Sequence, residues 1–354
     1  MTITNKKILV LVLPDPKKEQ LFEFYKELIR LFRTNLKEKI LVFGSKEQIL
    51  LITGGCITCD CLESDESTKR FVQDGNVYWY FSDTIVPDIW IRDYAPVHLH
   101  DHYLKFVYNP SYFYKCEKVM ADDLNKFGSK LPSLCATIAS YDSDYFRIKD
   151  VELIPNNLIL DGGNCVYNGK GDLIMTRRVL TDNPSFTETQ IENDLKKYNV
   201  ERVHFIECEP GDLTGHVDGV VRFVDTDSVI VSDLPRSYVT DGNPISKKEY
   251  LEDLAYLDKV AAEMSRYYKV TRLMNCIPCK EVKEGMPSAF GNYTNFFLFG
   301  NCLFVPQYGI EANDSNACKT LSETFRSQNP TIVKVDCSVL SSYGGILNCI
   351  TWEF

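Results

Sequence analysis

The chain has 354 residues, 44% of them hydrophobic and 25% charged, the balance of a globular protein able to bury a large core. Its formal charge of -10, from 49 acidic against 39 basic residues, argues against nucleic-acid or anionic-membrane partners and suits a small cationic one. Thirteen cysteines, an odd number without regular spacing, predict reduced thiols and a cytoplasmic location rather than a disulfide framework.

The apolar run that ends at Leu13 is only six residues long, stops at Pro14-Asp15-Pro16 and has no small-residue cleavage site, so residues 7–13 read as a buried strand rather than a signal peptide. No stretch approaches the ~18 apolar residues of a membrane span. Leu21, Phe22, Tyr25, Leu28, Ile29 and Phe32 recur at helical spacing and predict a helix over 17–33. Strands are expected near 39–43, 77–81, 95–99 and 103–108, with a helix over 117–127. Cys56, Cys59 and Cys61 resemble half of a zinc site, but no second pair follows at finger-like distance. His98, His100 and His102 alternate about a hairpin turn at Asp101, which reads as a solvated edge. Neither group supports a metal site, and no cofactor is expected.

Residues 151–176 are strand-rich, with the turn Asn168-Gly169-Lys170-Gly171 closing a hairpin. The second half then predicts a helix over 187–198, a strand over 202–206, a hairpin over 218–232, a helix over 246–267 and a strand over 269–274. A hairpin near 295–305, a helix over 314–326 and a strand over 331–336 complete the chain. Strand pair, helix, strand repeats without a Pro/Gly/Ser-rich linker, which predicts one α/β domain of repeated modules over residues 1–354. No G-x-G-x-x-G or P-loop follows any of these strands.

The chemistry centres on Thr214-Gly215-His216-Val217-Asp218. On an extended segment the side chains of His216 and Asp218 would leave one face, placing a proton carrier beside a carboxylate. Cys349 follows the pair Gly344-Gly345, whose backbone permits close approach to a ligand, and could act as a nucleophile with His216 as its base. Asp93 could form a structural ion pair with its neighbour Arg92, or join Asp218 in clamping a planar cation against the aromatic wall of Trp90. Asp161, in Asp161-Gly162-Gly163-Asn164, could orient His216 or merely cap a turn. Three carboxylates around a thiol should raise its pKa and should keep His216 cationic. A bound guanidinium would reverse the local field and favour the thiolate.

These stretches resemble the agmatine deiminases and bacterial-type peptidylarginine deiminases of the guanidine-modifying pentein superfamily. Trp90, Arg92, Asp93 and Pro96 match W-x-R-D-x-x-P, and Gly215, His216 and Asp218 match G-H-x-D. Gly344, Gly345, Cys349 and Thr351 match the terminal G-G-x-x-x-C-x-T. The stretch around Asn295-Phe296 and Val305-Pro306-Gln307-Tyr308-Gly309 is similar to S-Y-x-N-F and V-P-Q-F-G. Asp161 stands where the family commonly has Glu, and Asn348 where agmatine deiminases usually carry His.

The resemblance implies an α/β propeller of about five ββαβ modules with pseudo-fivefold symmetry. It also implies hydrolytic deimination through a covalent adduct on Cys349, with His216, Asp93, Asp218 and Asp161 catalytic and Trp90, Arg92, Asn295, Gly344 and Gly345 binding substrate. Agmatine is the expected substrate, with peptidyl or free arginine as the alternative. A different Cys–His hydrolase and an inactive guanidine-binding homologue are the remaining readings. Homo-oligomerisation is compatible with all of them.

Overall fold

The computed structural model describes residues 8–55, 57, 71–82, 86, 88–112, 118–139, 152–239, 244–283 and 285–354. The cysteine cluster at 56–61 lies outside the described residues. In the first strand, Ile8–Val12, every residue is buried, as a continuous apolar run requires when both faces of its sheet are covered. Leu9 and Leu11 pack into the core that also holds helix Glu19–Asn35, whereas Ile8, Val10 and Val12 join Leu124 and Leu131 of helix Lys118–Ala139.

Helix Glu19–Asn35 returns the chain to Lys39–Ser45, which pairs in parallel with Ile8–Val12. On the other edge, Trp352–Glu353 pairs antiparallel with Ile8–Val12, bringing residues from the two ends of the described chain together. Val77–Ser82 and Phe71–Asp74 extend this sheet to five strands. Elsewhere one path recurs: a hairpin, a helix, and a strand parallel to the second arm of the hairpin. Val97–Leu99 and His102–Val107 are followed by helix Lys118–Ala139 and strand Leu153–Ile159. Val166–Tyr167 and Asp172–Thr176 lead through helices Arg178–Asp182 and Glu188–Lys196 to Arg202–Ile206. Val221–Phe223 and Ser228–Asp233 lead through Lys247–Met264 to Lys269–Met274. Phe297–Phe299 and Cys302–Gln307 lead through Glu311–Thr324 to Thr331–Asp336.

Several elements differ from expectation. Helix Lys118–Ala139 continues well past 127 although Gly128 and Pro132 lie inside it. Gly128 is there for contact, since a Cβ at that position would stand 2.2 Å from the Tyr94 carbonyl oxygen. Helix Lys46–Ile52 was not anticipated, although Ser45 and Gln48 form the capping box that signals such a start. Residues 214–220 are not the extended segment expected. Val217 accepts hydrogen bonds from the amides of Val220 and Val221 at 2.9 and 2.8 Å, folding the stretch into a turn before strand Val221–Phe223.

Candidate active site

Asp93 lies on the short helix Ile91–Tyr94, which neighbouring backbone holds closely. The Arg92 amide donates to the Cys349 carbonyl at 3.2 Å, and a Cβ at Gly162 would stand 2.0 Å from the Arg92 carbonyl oxygen. The next glycine explains the paired motif. The Gly163 amide donates to Asp93 Oδ1 at 3.1 Å, and a Cβ there would press on His216 Nδ1 at 2.6 Å and Asp93 Oδ1 at 2.7 Å. Any larger residue at this position would push the carboxylate and the imidazole out of place.

His216 is clamped between two carboxylates. Its Nε2 lies 3.0 Å from Asp161 Oδ2 and its Nδ1 3.7 Å from Asp93 Oδ1. Burial opposes its charge, but Asp93, Asp161 and Asp218 outweigh that penalty and push its pKa up to about 10. The imidazole is therefore cationic at neutral pH. Burial, against the attraction of His216, drives the Asp93 carboxyl upward, and Asp161 and Asp218 add to the rise. Tyr112 donates to Asp161 Oδ2 at 3.0 Å, a contact that no sequence pattern announced.

Asp218 comes from the turn before Val221 and faces the thiol from another side. Its Oδ2 accepts from Asn348 Nδ2 at 2.6 Å and lies 4.0 Å from Cys349 Sγ. Asn295 Oδ1 receives the Asn348 amide at 3.0 Å and lies 3.5 Å from the same sulfur. Burial, with Asp218 and Asp93 adding to it, pushes the Cys349 thiol well above its ordinary value, so the empty site holds a neutral thiol.

Cys349, His216, Asp93 and Asp218 all line one cavity of about 940 Å³, together with Trp90, Asn295, Gly344 and Gly345. Asp161, 4% exposed, sits behind His216 and Tyr112, both of which line the cavity. Gly345 is where Trp90 comes to rest: a Cβ there would meet the indole at 2.4 Å. Arg92, expected with the substrate-binding residues, turns away from this cavity. Its guanidinium donates to Glu353 at 2.5 Å and to the Asn348 carbonyl at 3.2 Å, so it braces the C-terminal segment from behind. Glu353 gave no signal because it lies 261 residues from Arg92 in sequence. The group His98, His100 and His102 is equally remote from this chemistry. His98 stacks on Tyr103 and His100 pairs with Asp101.

The family model for the Porphyromonas-type peptidyl-arginine deiminases matches residues 8–354. The chain belongs to that family. It is 26% identical over 232 residues to an agmatine deiminase of Medicago truncatula, covering 58% of this chain and 60% of that one. To a putative agmatine deiminase of Lactococcus lactis it is 27% identical, covering 75% and 74% of the two chains. The chain thus spans about three-fifths of the length of the Medicago relative it matches. Among solved structures, C. jejuni agmatine deiminase superposes with a TM-score of 0.72 at 23% identity, over 99% of this chain and 94% of that one. That likeness establishes the mixed α/β fold of this chain.

Proposed function

We propose that this chain is a single-domain pentein enzyme that hydrolyses the guanidinium group of agmatine to N-carbamoylputrescine and ammonia. The recurring hairpin–helix–strand path supports a propeller of about five ββαβ modules around the site. The observation that carries the chemistry is the convergence in one cavity of Asp93 and Asp218, the Cys349 thiol, and a cationic His216 held by Asp161.

Asp93 and Asp218 accept the N–H groups of the planar cation, which fixes its carbon above Cys349 Sγ. The cation favours the thiolate, whose proton leaves to solvent. The sulfur bonds to the guanidinium carbon, His216 donates its proton to one amino nitrogen, and the C–N bond breaks with release of ammonia. A thiouronium remains on Cys349. The neutral imidazole takes a proton from water as the oxygen bonds to the carbon, and the C–S bond then breaks. This returns the thiolate and the imidazolium, and the protonated urea passes its proton to ammonia.

The cavity lining also supports a substrate with a second cation. Beyond the reacting centre it carries Glu209, Asp212, Glu249, Glu252 and Asp253 against Lys18 and Lys248. Burial, with neighbouring acids adding to it, pushes Glu209 up to about 8 and Asp253 to about 6, and an ammonium placed among them would favour their charged forms. The α-carboxylate of free arginine would add to the negative charge there. Among the described residues no helix is long and apolar enough to cross a membrane. The free thiols suit a reducing cytoplasm.

The test is ammonia release from agmatine, arginine and a blocked arginine peptide, measured side by side. Agmatine should be turned over fastest by at least about tenfold, one ion pair's worth of discrimination. Faster turnover of the peptide would transfer the assignment to peptidyl-arginine, and no release from any of the three would end the deimination reading.

A further inference from the structure

The proposed reaction makes no use of Tyr112, although the position of this residue is closely determined. The Ser111 amide donates to Asp182 Oδ1 at 3.0 Å, and Asp182 pairs with Arg178 at 3.4 Å on helix Arg178–Asp182. The Arg178 guanidinium in turn lies 5.1 Å from the centre of the Tyr112 ring. Arg178 also packs beside the residue before His216, since a Cβ at Gly215 would stand 3.3 Å from Arg178 Cβ. One arginine thus seats both the phenol and the turn that carries the imidazole.

The two side chains meet on a single oxygen. Asp161 Oδ2 lies 3.0 Å from the Tyr112 hydroxyl and 3.0 Å from His216 Nε2, while Asp161 Oδ1 is buried without a partner among the described residues. A carboxylate only accepts, so the phenol points its one proton at Asp161. Tyr108 also hydrogen-bonds to Tyr112 and is therefore the donor of that pair. Burial, with Asp161 adding to it, pushes the Tyr112 phenol well up, so it stays a neutral donor across the working range. Facing His216 are Asp93 from helix Ile91–Tyr94, Asp161, and Asp218 from its own turn, with Cys349 beyond Asp93 and Asp218 as a neutral thiol. Facing Asp161 are Tyr112, Tyr108 and, at longer range, Lys105 of strand His102–Val107.

We propose that Tyr112 is a positioning residue of the reaction: by donating to the Asp161 oxygen that holds His216, it keeps the imidazolium from being bound too tightly to release its proton. An oxygen shared by two donors holds each less firmly than it would hold one alone. His216 needs that looseness, because it must yield a proton to the departing nitrogen and then take one from water. The role rests on the deimination reading, but the coupling of Tyr112 to His216 is measurable without turnover.

Heteronuclear NMR titration of the isotopically labelled whole protein follows the His216 imidazole directly, with His216→Gln identifying its resonance. Tyr112→Phe should move the midpoint to higher pH, opposite to the shift expected from Asp161→Asn. In the Asp161→Asn background the same change should move it little, because the carboxylate that couples the two residues is gone. With agmatine, Tyr112→Phe should lower kcat about three- to tenfold at unchanged KM and carry the alkaline limb of the rate profile upward. Tyr112→Leu, which also lacks the donor, takes its place should the Phe variant fold poorly. A midpoint that stays or falls in the folded variant would overturn the proposal, as would an equal shift in both backgrounds. So would a raised KM at unchanged kcat, which would make Tyr112 a substrate contact. If the wild-type protein releases no ammonia from agmatine, the deimination reading fails by itself, and the titration still decides whether Tyr112 acts on His216.

Discussion

Asn348 and Cys349 separate two cavities of opposite character. In front, Asp93 and Asp218 face the thiol, and the only cation locked among them is His216, which two carboxylates hold. Behind, Arg92 and Arg222 line the cavity, with Glu353 the single side-chain carboxylate in the described lining. The front is built to be completed by a cation and the back to anchor a peptide segment. Arg92 does the anchoring by bonding both Glu353 and the Asn348 carbonyl. Cys349, the nucleophile of the proposed reaction, sits beside Asp93 and Asp218 with its main chain held from the other side.

The largest effect expected in front is from Cys349→Ser, which should lower agmatine turnover by at least about 10³-fold, because a serine hydroxyl does not ionise there. Agmatine should still bind, since both clamping carboxylates remain. Parallel ammonia assays and calorimetry check this, and a variant that kept a tenth of the activity would break the front-cavity account. Behind, Arg92→Met removes the guanidinium that pairs with the buried Glu353 and should cost about 3–5 kcal/mol of stability in denaturant melts. A loss within error would show that the back face does not anchor the segment.

Asp218→Asn removes one arm of the clamp and should reduce kcat/KM for agmatine about 10²-fold, with only a small change in melting temperature. Asp161→Asn should act more gently, through His216. With one carboxylate fewer, the imidazole pKa falls, so the alkaline limb of the pH–rate profile moves to lower pH. An unmoved limb would assign it to another group. The last effect is on stability against pH. The folded pKa of His216 is raised from 6.5 to about 10, so its contribution is complete below the lower value and is lost as pH rises through the higher one. Asp93, also driven up by burial, acts with the same sign. Melting temperature should therefore decline across that window, and His216→Gln should flatten the decline.

The motifs made much of the site legible because each carries a local physical demand. Gly163 must lack a Cβ for Asp93 and His216 to meet, and Gly345 must lack one for Trp90 to close on it. Arg92 was misplaced for a corresponding reason. In the Trp90-to-Asp93 stretch one turn of helix puts Trp90 and Asp93, three residues apart, on the cavity side and Arg92 on another, and only the partner at Glu353 shows which side Arg92 occupies. Residues 214–220 fell outside a period-two reading because Gly215, at φ +65°, begins a turn. His216 and Asp218 still share the cavity, but through that turn rather than through strand alternation.

By itself the sequence determined the alternation of hairpins and helices, since hydrophobic spacing and turn residues act over a few positions. It also pointed to the residue types of the proposed reaction, because a thiol, an imidazole and paired carboxylates have few substitutes in such chemistry. The tertiary structure alone decided that Trp352–Glu353 closes the sheet begun by Ile8–Val12 and that Arg92 pairs with Glu353 behind Cys349. Those outcomes depend on contacts between residues hundreds of positions apart, where neither propensity nor spacing carries information and only the packing of whole elements brings charges together.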